Sequence, residues 1–481
     1  MRKLLLGSAI AALPLPALAA VDADGLWEIF TAGAPGYVVT HGAVADRADG
    51  VTVRDVIVSS RMTEDPAPDA SGPDGAAGDG EGAPVTRISV PVLVMTDEDG
   101  EVRATLPEGA TMSAGGKDAT LTSPDLALVL SGDVGDLRVN GSASALTIGG
   151  ARGTSPEIVM SGMSVSAGRT AGAGTVEASG QMTVDRADIR APGGEASFGG
   201  VSVKGGASLP APMLALLSGP PPALTPENAE LYRAASLELE AGAESCEGAA
   251  AAPAGGPGDT FSCGPASVMM SVSDGRVSYG LTASGLSGET TVPVLGLRTS
   301  YGVAEERLFL SVPIAVLKGE ADEPFEASAL IKGVTFGETL WSRIDPNGAL
   351  PRDPGSLTFR LTGTLGAGDG ETGGAPFAPR SINLESSGLS FAGVEATASG
   401  KAEAETGLLT SGEGSGEVVI TGLKRALDAL SGAGLPLVPR DAWAAFRAAE
   451  GGLFVIDEAG DRMTMKAEFG DGGMRLNGEA P

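Results

Sequence analysis

Apolar and polar residues alternate with period two over most of this chain, and that alternation predicts β-strands. Val51, Val53, Asp55 and Ile57 fall on one face after an Asp49-Gly50 turn, so Tyr37–Arg61 reads as a hairpin. Strand signals resume at Thr86–Met95 and run to about Lys204, through Leu126–Leu130, Val134–Val139, Ala145–Ile148, Ile158–Val165 and Val176–Val184. Gly-Asp, Asn-Gly and Gly-Gly pairs separate many of them, the punctuation of antiparallel hairpins. Later in the chain Val277, Tyr279, Leu281 and Ala283 share a face, as do Leu357, Phe359 and Leu361, and then Met463, Met465, Ala467 and Phe469.

Helical spacing is confined to short stretches. Asp24 is placed to cap a helix carrying Leu26, Trp27, Ile29 and Phe30 before Gly33 and Pro35 end it. Pro212–Ser218, Pro226–Ala235, Phe336–Ile344, Gly422–Ser431 and Ala442–Ala449 are further candidates. In the fourth of these, Leu423, Leu427 and Leu430 stand at i, i+4, i+7. The fold class expected is therefore mainly β: a large antiparallel, curved sheet or sheets, with a few short helices at the N-terminus, mid-chain and near the C-terminus.

The first residues carry an address. Arg2 and Lys3 precede the apolar run Leu4–Leu18, and Ala17-Leu18-Ala19 supplies a small-x-small cleavage pattern. Pro14 and Pro16 interrupt the run, which is too short for the ~20 residues that cross a bilayer. Residues 1–19 are expected to be a signal peptide, cut after Ala19 with Ala20 or Val21 as close alternatives, and the protein to be periplasmic with no membrane-integral segment in the mature chain. Removing Arg2 and Lys3 leaves 30 basic residues against 61 acidic ones, a net −31 in place of −29. Such a surface repels nucleic acid and anionic headgroups. Aromatics are only 4% of the residues, too few for the girdles of an outer-membrane barrel.

Cys246 and Cys263, the two cysteines, flank a Gly/Ala/Pro-rich segment and in an oxidising compartment are expected to form a disulfide. They divide the chain into an N-terminal β-rich half (20–245), a cysteine loop (246–263) and a C-terminal β-rich half (264–481). Within the first half, residues 64–84 hold almost nothing but Pro, Ala, Gly, Asp and Glu and are expected to be a disordered loop. The phrase Ser-Gly-x-Ser recurs at 161–164, 284–287 and 387–390. It reads either as turn vocabulary at strand edges or as the mark of two sheet halves of common design.

Chemistry is sparse. His41, the single histidine, cannot build a histidine-based metal site alone, and no nucleophile motif surrounds it. Asp22-Ala23-Asp24-Gly25 and Asp97-Glu98-Asp99-Gly100 lack the first ligand and distal glutamate of a calcium loop; they read as a helix cap and a hairpin turn. Trp27, Trp341 and Trp443 all fall on candidate helices and are expected to plug them onto sheet ends. Asp441 is placed to cap the Trp443 helix. No catalytic, cofactor-binding or metal-binding residue and no cofactor is assigned.

Three segments carry a resemblance. Leu340-Trp341-Ser342-Arg343-Ile344-Asp345-Pro346-Asn347-Gly348-Ala349-Leu350-Pro351-Arg352-Asp353-Pro354 is the most specific. Ile420-Thr421-Gly422-Leu423 running on to Gly434-Leu435-Pro436 is the second, and the terminal Phe469, Gly472-Gly473, Leu476-Asn477-Gly478 phrase the third. Together with the Trp27 helix they resemble the alphaproteobacterial domain-of-unknown-function family 2125, over essentially the whole mature chain. That family transfers no activity and no catalytic residues. Its C-terminal pattern is loosely similar to exported AsmA-like β-rich proteins, which implies lipid handling in the envelope.

The expected function is that of a non-enzymatic periplasmic β-rich envelope protein holding a lipid or other apolar small molecule. Met160, Met163, Met269, Met270, Met463 and Met465 could form an adaptable lining or simply fill core gaps. The second reading is a structural or protein-interaction component of an envelope complex. The third is a carboxylate-based hydrolase, which needs two converging carboxyls, one with a raised pKa.

Overall fold

The computed structural model describes residues 22–32, 37–60, 86–114, 117–132, 135–150, 156–172, 174–210, 233–251, 258–314, 322–367, 377–403, 412–433, 438–450, 452–470 and 473–479. The expected signal peptide (1–19) and cleavage positions Ala19 and Ala20, the 64–84 segment and nearly all of the two candidate helices between Pro212 and Ala235 lie outside them. The chain is mainly β, with 26 strands and four short helices among the described residues, and its strands pair antiparallel. It divides into two compact units, Met1–Ala223 with Ala234–Ala241, and Leu224–Arg233 with Gly242–Pro481.

The first unit begins with helix α1 (Ala23–Ala32). Its strands are β1 (Tyr37–Thr40), β2 (Val44–Arg47), β3 (Gly50–Ser60), β4 (Thr86–Glu98), β5 (Glu101–Thr105), β6 (Ala110–Ala114), β7 (Lys117–Thr122), β8 (Ala127–Gly132), β9 (Asp136–Gly150), β10 (Glu157–Ala171), β11 (Thr175–Ala191) and β12 (Gly194–Pro210). Most of β13 (Ser236–Ala243) belongs here too. Asp22, not Asp24, caps α1: its carboxylate accepts from the Gly25 N–H at 2.7 Å, and Asp97 accepts from Ala23 N–H at 2.8 Å. The cap sits at Asp22 because the helix already includes Ala23. Ala23, Leu26 and Trp27 then pack on Val51, Val53, Val56, Met95, Val102 and Leu130 to make the first core. Asp99 and Gly100, both at positive φ, form the β4–β5 hairpin turn that the sequence suggests.

The second unit holds β14 (Ser245–Ala250), β15 (Thr260–Cys263), β16 (Ala266–Ser273), β17 (Arg276–Val292), β18 (Leu297–Pro313), β19 (Glu323–Phe336), β20 (Gly355–Ala367), β21 (Phe377–Phe391), β22 (Val394–Glu403), β23 (Glu413–Thr421), β24 (Val455–Ile456), β25 (Arg462–Gly470) and β26 (Gly473–Leu476). Helix α2 (Glu338–Ile344) follows β19, while α3 (Leu423–Gly432) and α4 (Ala442–Ala449) follow β23. Trp341 and Leu350 are buried against Ala426, with Phe391, Val394 and Ala429 packed around them. α3 thus buries its alanine side at this contact; Leu423, Leu427 and Leu430 are only half-buried. Asp441 caps α4 as expected, accepting from Ala444 N–H at 2.8 Å.

The strands are longer than the sequence segments because their alternation changes phase partway along. Asp55 has φ 54°, and the inward positions run Val51, Val53, Val56, so Ile57 does not share that face as the uninterrupted pattern requires. A left-handed residue rotates the following strand, leaving two successive inward side chains three residues apart. Gly162 (φ 62°) does this between Met160 and Met163 on β10, and Gly200 (φ 58°) between Phe198 and Val201 on β12. Side chains from both arms, Met160, Met163, Val165, Met182, Val184, Ala187 and Val201, pack in one cluster. The register places Asp185 of β11 between Gly162 and Gly200.

The second unit repeats this bend. Gly285 (φ 60°) on β17 and Gly333 (φ 69°) on β19 flank Ala304 of β18. Two copies of Ser-Gly-x-Ser therefore occupy equivalent places, in the first strand of a bent three-strand set in each unit. They are mid-strand bends rather than edge turns, because glycine tolerates the left-handed conformation there. The third copy, around Gly388, lies within β21 just beyond a ladder irregularity between Leu384 and Ser387.

Candidate functional site

The strands of the second unit put mostly apolar side chains on one face and mostly hydroxyls and charges on the other. Directly opposed residues in an antiparallel ladder share a face. The ladder from β16 to β20 runs Val268, Leu281, Leu308, Ala329, Phe359 in one row, and Met270, Tyr279, Leu310, Ala327, Leu361 in the next. A third row, nearer the bend, is Ala266, Ala283, Glu306, Ile331, Leu357 and, on β21, Leu389.

The other face carries matching polar ladders. Ser267 bonds Thr282 at 2.8 Å, Ser278 donates to Ser311 at 2.9 Å, and Ser356 bonds Ser390 at 2.9 Å. Arg360 bridges Glu326 at 3.1 Å and Glu385 at 3.4 Å. Cross-strand hydroxyl and ion pairs are what a solvated sheet face presents.

The aliphatic face is open. Tyr279 keeps 46% of its surface exposed, Leu389 44%, Leu310 41% and Leu308 40%. In the first unit, by contrast, Val139, Leu146, Met163 and Val184 are buried in its two cores. A contiguous exposed aliphatic patch on a sheet is the mark of a binding surface. A face made mostly of aliphatic side chains recognises chains of methylenes by area and shape.

The residues singled out in the sequence are dispersed. Cys246 and Cys263 face each other directly across β14 and β15, Cα atoms 4.9 Å apart and sulfurs at disulfide distance. His41 is exposed, its Nδ1 3.0 Å from the Gly42 carbonyl and its ring edge-on to Trp27. Trp27 and Trp341 are buried under α1 and α2, and Trp443 stacks on Phe446 within α4. Of the methionines, Met163 and Met463 fill cores, Met270 and Met465 lie on aliphatic strand faces, and Met269 lies on the opposite face from Met270.

Among the described residues the charged groups offer no comparable site. A cavity of about 510 Å³ beside α3 is lined by Asp345, Lys424, Arg425, Asp428 and Asp461 among others. Its groups are engaged locally: the buried Asp345 accepts from Ala349 and Leu350 N–H, and Lys424 pairs with Asp428 at 2.7 Å. Asp125 and Asp188 are both held below the ordinary carboxyl range, by the Ser144 side chain and the Ser197 hydroxyl respectively. That is opposite to the shift a general-acid carboxyl needs. Among the described residues no group of three His, Cys, Asp or Glu side chains is arranged to hold a metal, and no helix is long and apolar enough to cross a membrane.

No family model, curated protein or solved structure matches this chain.

The aliphatic face was legible only in fragments. Val277–Ala283 and Leu357–Leu361 show their alternation in sequence, but only the register joins them across β18 and β19.

Proposed function

We propose that this is an exported, non-catalytic periplasmic protein that holds an aliphatic ligand, such as an acyl chain, on the open face of its second unit. The carrying observation is the exposure of Tyr279, Leu308, Leu310 and Leu389 on one face while the other is a polar ladder. The leader-like residues 1–19 support export, and the resemblance to family 2125 and to AsmA-like envelope proteins agrees with lipid handling.

The acidic balance of the chain fits capture of single amphiphiles better than adhesion to an anionic bilayer. Protein purified from the periplasm without detergent would be extracted with organic solvent and the extract analysed by mass spectrometry. Lipid recovered near one mole per mole is the expected result. Lipid-free protein that also fails to take up an added acyl probe refutes the reading.

A further inference from the structure

We propose that the open face selects its amphiphile by headgroup, preferring an amine-bearing one, and that Glu306 supplies the counter-charge. The inference rests on the aliphatic-ligand reading and deepens it.

Glu306 is the one charged residue in the three rows of described side chains that make the face. Ala283 and Ile331 stand directly opposite it on the flanking strands, and Leu308 follows on the same strand face. Its surroundings leave it uncompensated. Arg307 pairs with Glu305, and Lys332 stands opposite Glu305, on the other face of the sheet. Among the described residues no cation lies within ion-pairing distance of Glu306.

A half-buried carboxylate beside aliphatic side chains loses hydration that nothing nearby repays. A bound ammonium would repay it with a charge-assisted hydrogen bond. Position supports the same role. Glu306 is two residues from Ala304, so it marks the bend end of the face, and the aliphatic rows extend away from it along the strands. An acyl chain laid over Leu308 and Leu310 would leave its headgroup at this end. The net charge of −29 biases the choice in the same direction, against anionic headgroups.

The test uses the full-length mature protein and two lysolipids of identical acyl chain, one with an ethanolamine and one with a glycerol headgroup, each below its micellar concentration. Titration calorimetry should show the ethanolamine lipid binding about tenfold tighter, as one charge-assisted contact provides. Glu306→Gln should bring the two affinities together, Glu306→Lys should invert their order, and Glu395→Gln, on β22 directly opposite Ser390 of the polar face, should leave the preference intact. Circular dichroism establishes that each variant is folded. Equal affinities in the parent protein, or a preference that survives Glu306→Gln, overturns the headgroup inference while leaving the aliphatic site standing. Binding of neither lipid overturns both.

Discussion

Gly333 and Ala304 face each other across β19 and β18, so closely that a Cβ on Gly333 would lie 2.5 Å from the Ala304 methyl. Gly333 also has φ 69°, a conformation that favours glycine. Two costs thus attach to Gly333→Ala: backbone strain of about 1 kcal/mol or more, and overlap with Ala304. The variant should lose about 2–3 kcal/mol in urea unfolding. Adding Ala304→Gly should recover the steric part and leave the backbone part. Gly180→Ala on β11, at ordinary φ with its nearest neighbour 3.6 Å away, should cost well under about 1 kcal/mol beside it.

These bends also mark where sequence reasoning stops. Period-two alternation identifies Val51 and Val53, or Tyr279 and Leu281, without difficulty. It then fails at Asp55, Gly162, Gly285 and Gly333, because one left-handed residue exchanges the two faces of everything downstream. Leu137–Val139 and Ala145–Ile148 look like parts of separate strands because Asn140-Gly141 reads as a turn, yet both lie within β9. Nothing local distinguishes a bend glycine from a turn glycine; the difference lies in the ladder on either side. The same is true of the open face, since exposure of Leu308 depends on what fails to pack over it. The short helices α2, α3 and α4 were legible because helical spacing, and for α4 the Asp441 cap, are local. Even there the buried side of α3 was set by Trp341, a partner some 80 residues away in sequence.

The link between Cys246 and Cys263 joins directly opposed residues of β14 and β15, separated by 17 positions in sequence. Closing a loop of that length removes unfolded-state entropy equivalent to about 3 kcal/mol. Reductant should therefore lower the unfolding midpoint of the parent protein. The Cys246→Ser/Cys263→Ser double variant should start from the lowered midpoint and show no response to reductant. An equal response in both proteins would locate the effect elsewhere.

Asp125 gives an acid-side test. Donation from the Ser144 side chain and its backbone N–H, the latter at 2.9 Å, favours the charged carboxylate in the folded state. The folded value thus lies below the ~3.9 of an unfolded chain. The sign follows from linkage: the contribution is complete above the unfolded value and is lost as pH falls through the folded one. Asp125→Asn should be less stable than the parent at pH 6, and the gap should narrow steadily below about pH 4. Chemical denaturation at a series of pH values reads this directly. A gap that widens in acid would contradict the assignment.

The open face separates function from stability in a way a core does not. Leu310 is 41% exposed, with Tyr279 and Ala327 directly opposite on the flanking strands. In a packed core Leu→Ser would cost several kcal/mol, from lost transfer energy and from a cavity. On an exposed face there is little cavity to open, so Leu310→Ser should lower the unfolding free energy by only about 1 kcal/mol. Binding of an acyl probe should respond in the opposite proportion, because every contact area lost there is contact with the ligand. Leu308→Ser/Leu310→Ser should therefore abolish measurable uptake of a fluorescent fatty acid while the far-ultraviolet spectrum and midpoint stay close to those of the parent. Val184→Ser in the first unit, where the side chain is buried, should do the reverse and unfold the protein without any specific effect on uptake by the fraction still folded. If the two leucine changes destabilised the chain as Val184→Ser does, the face would be a covered core, and the aliphatic ligand would lose its place on it.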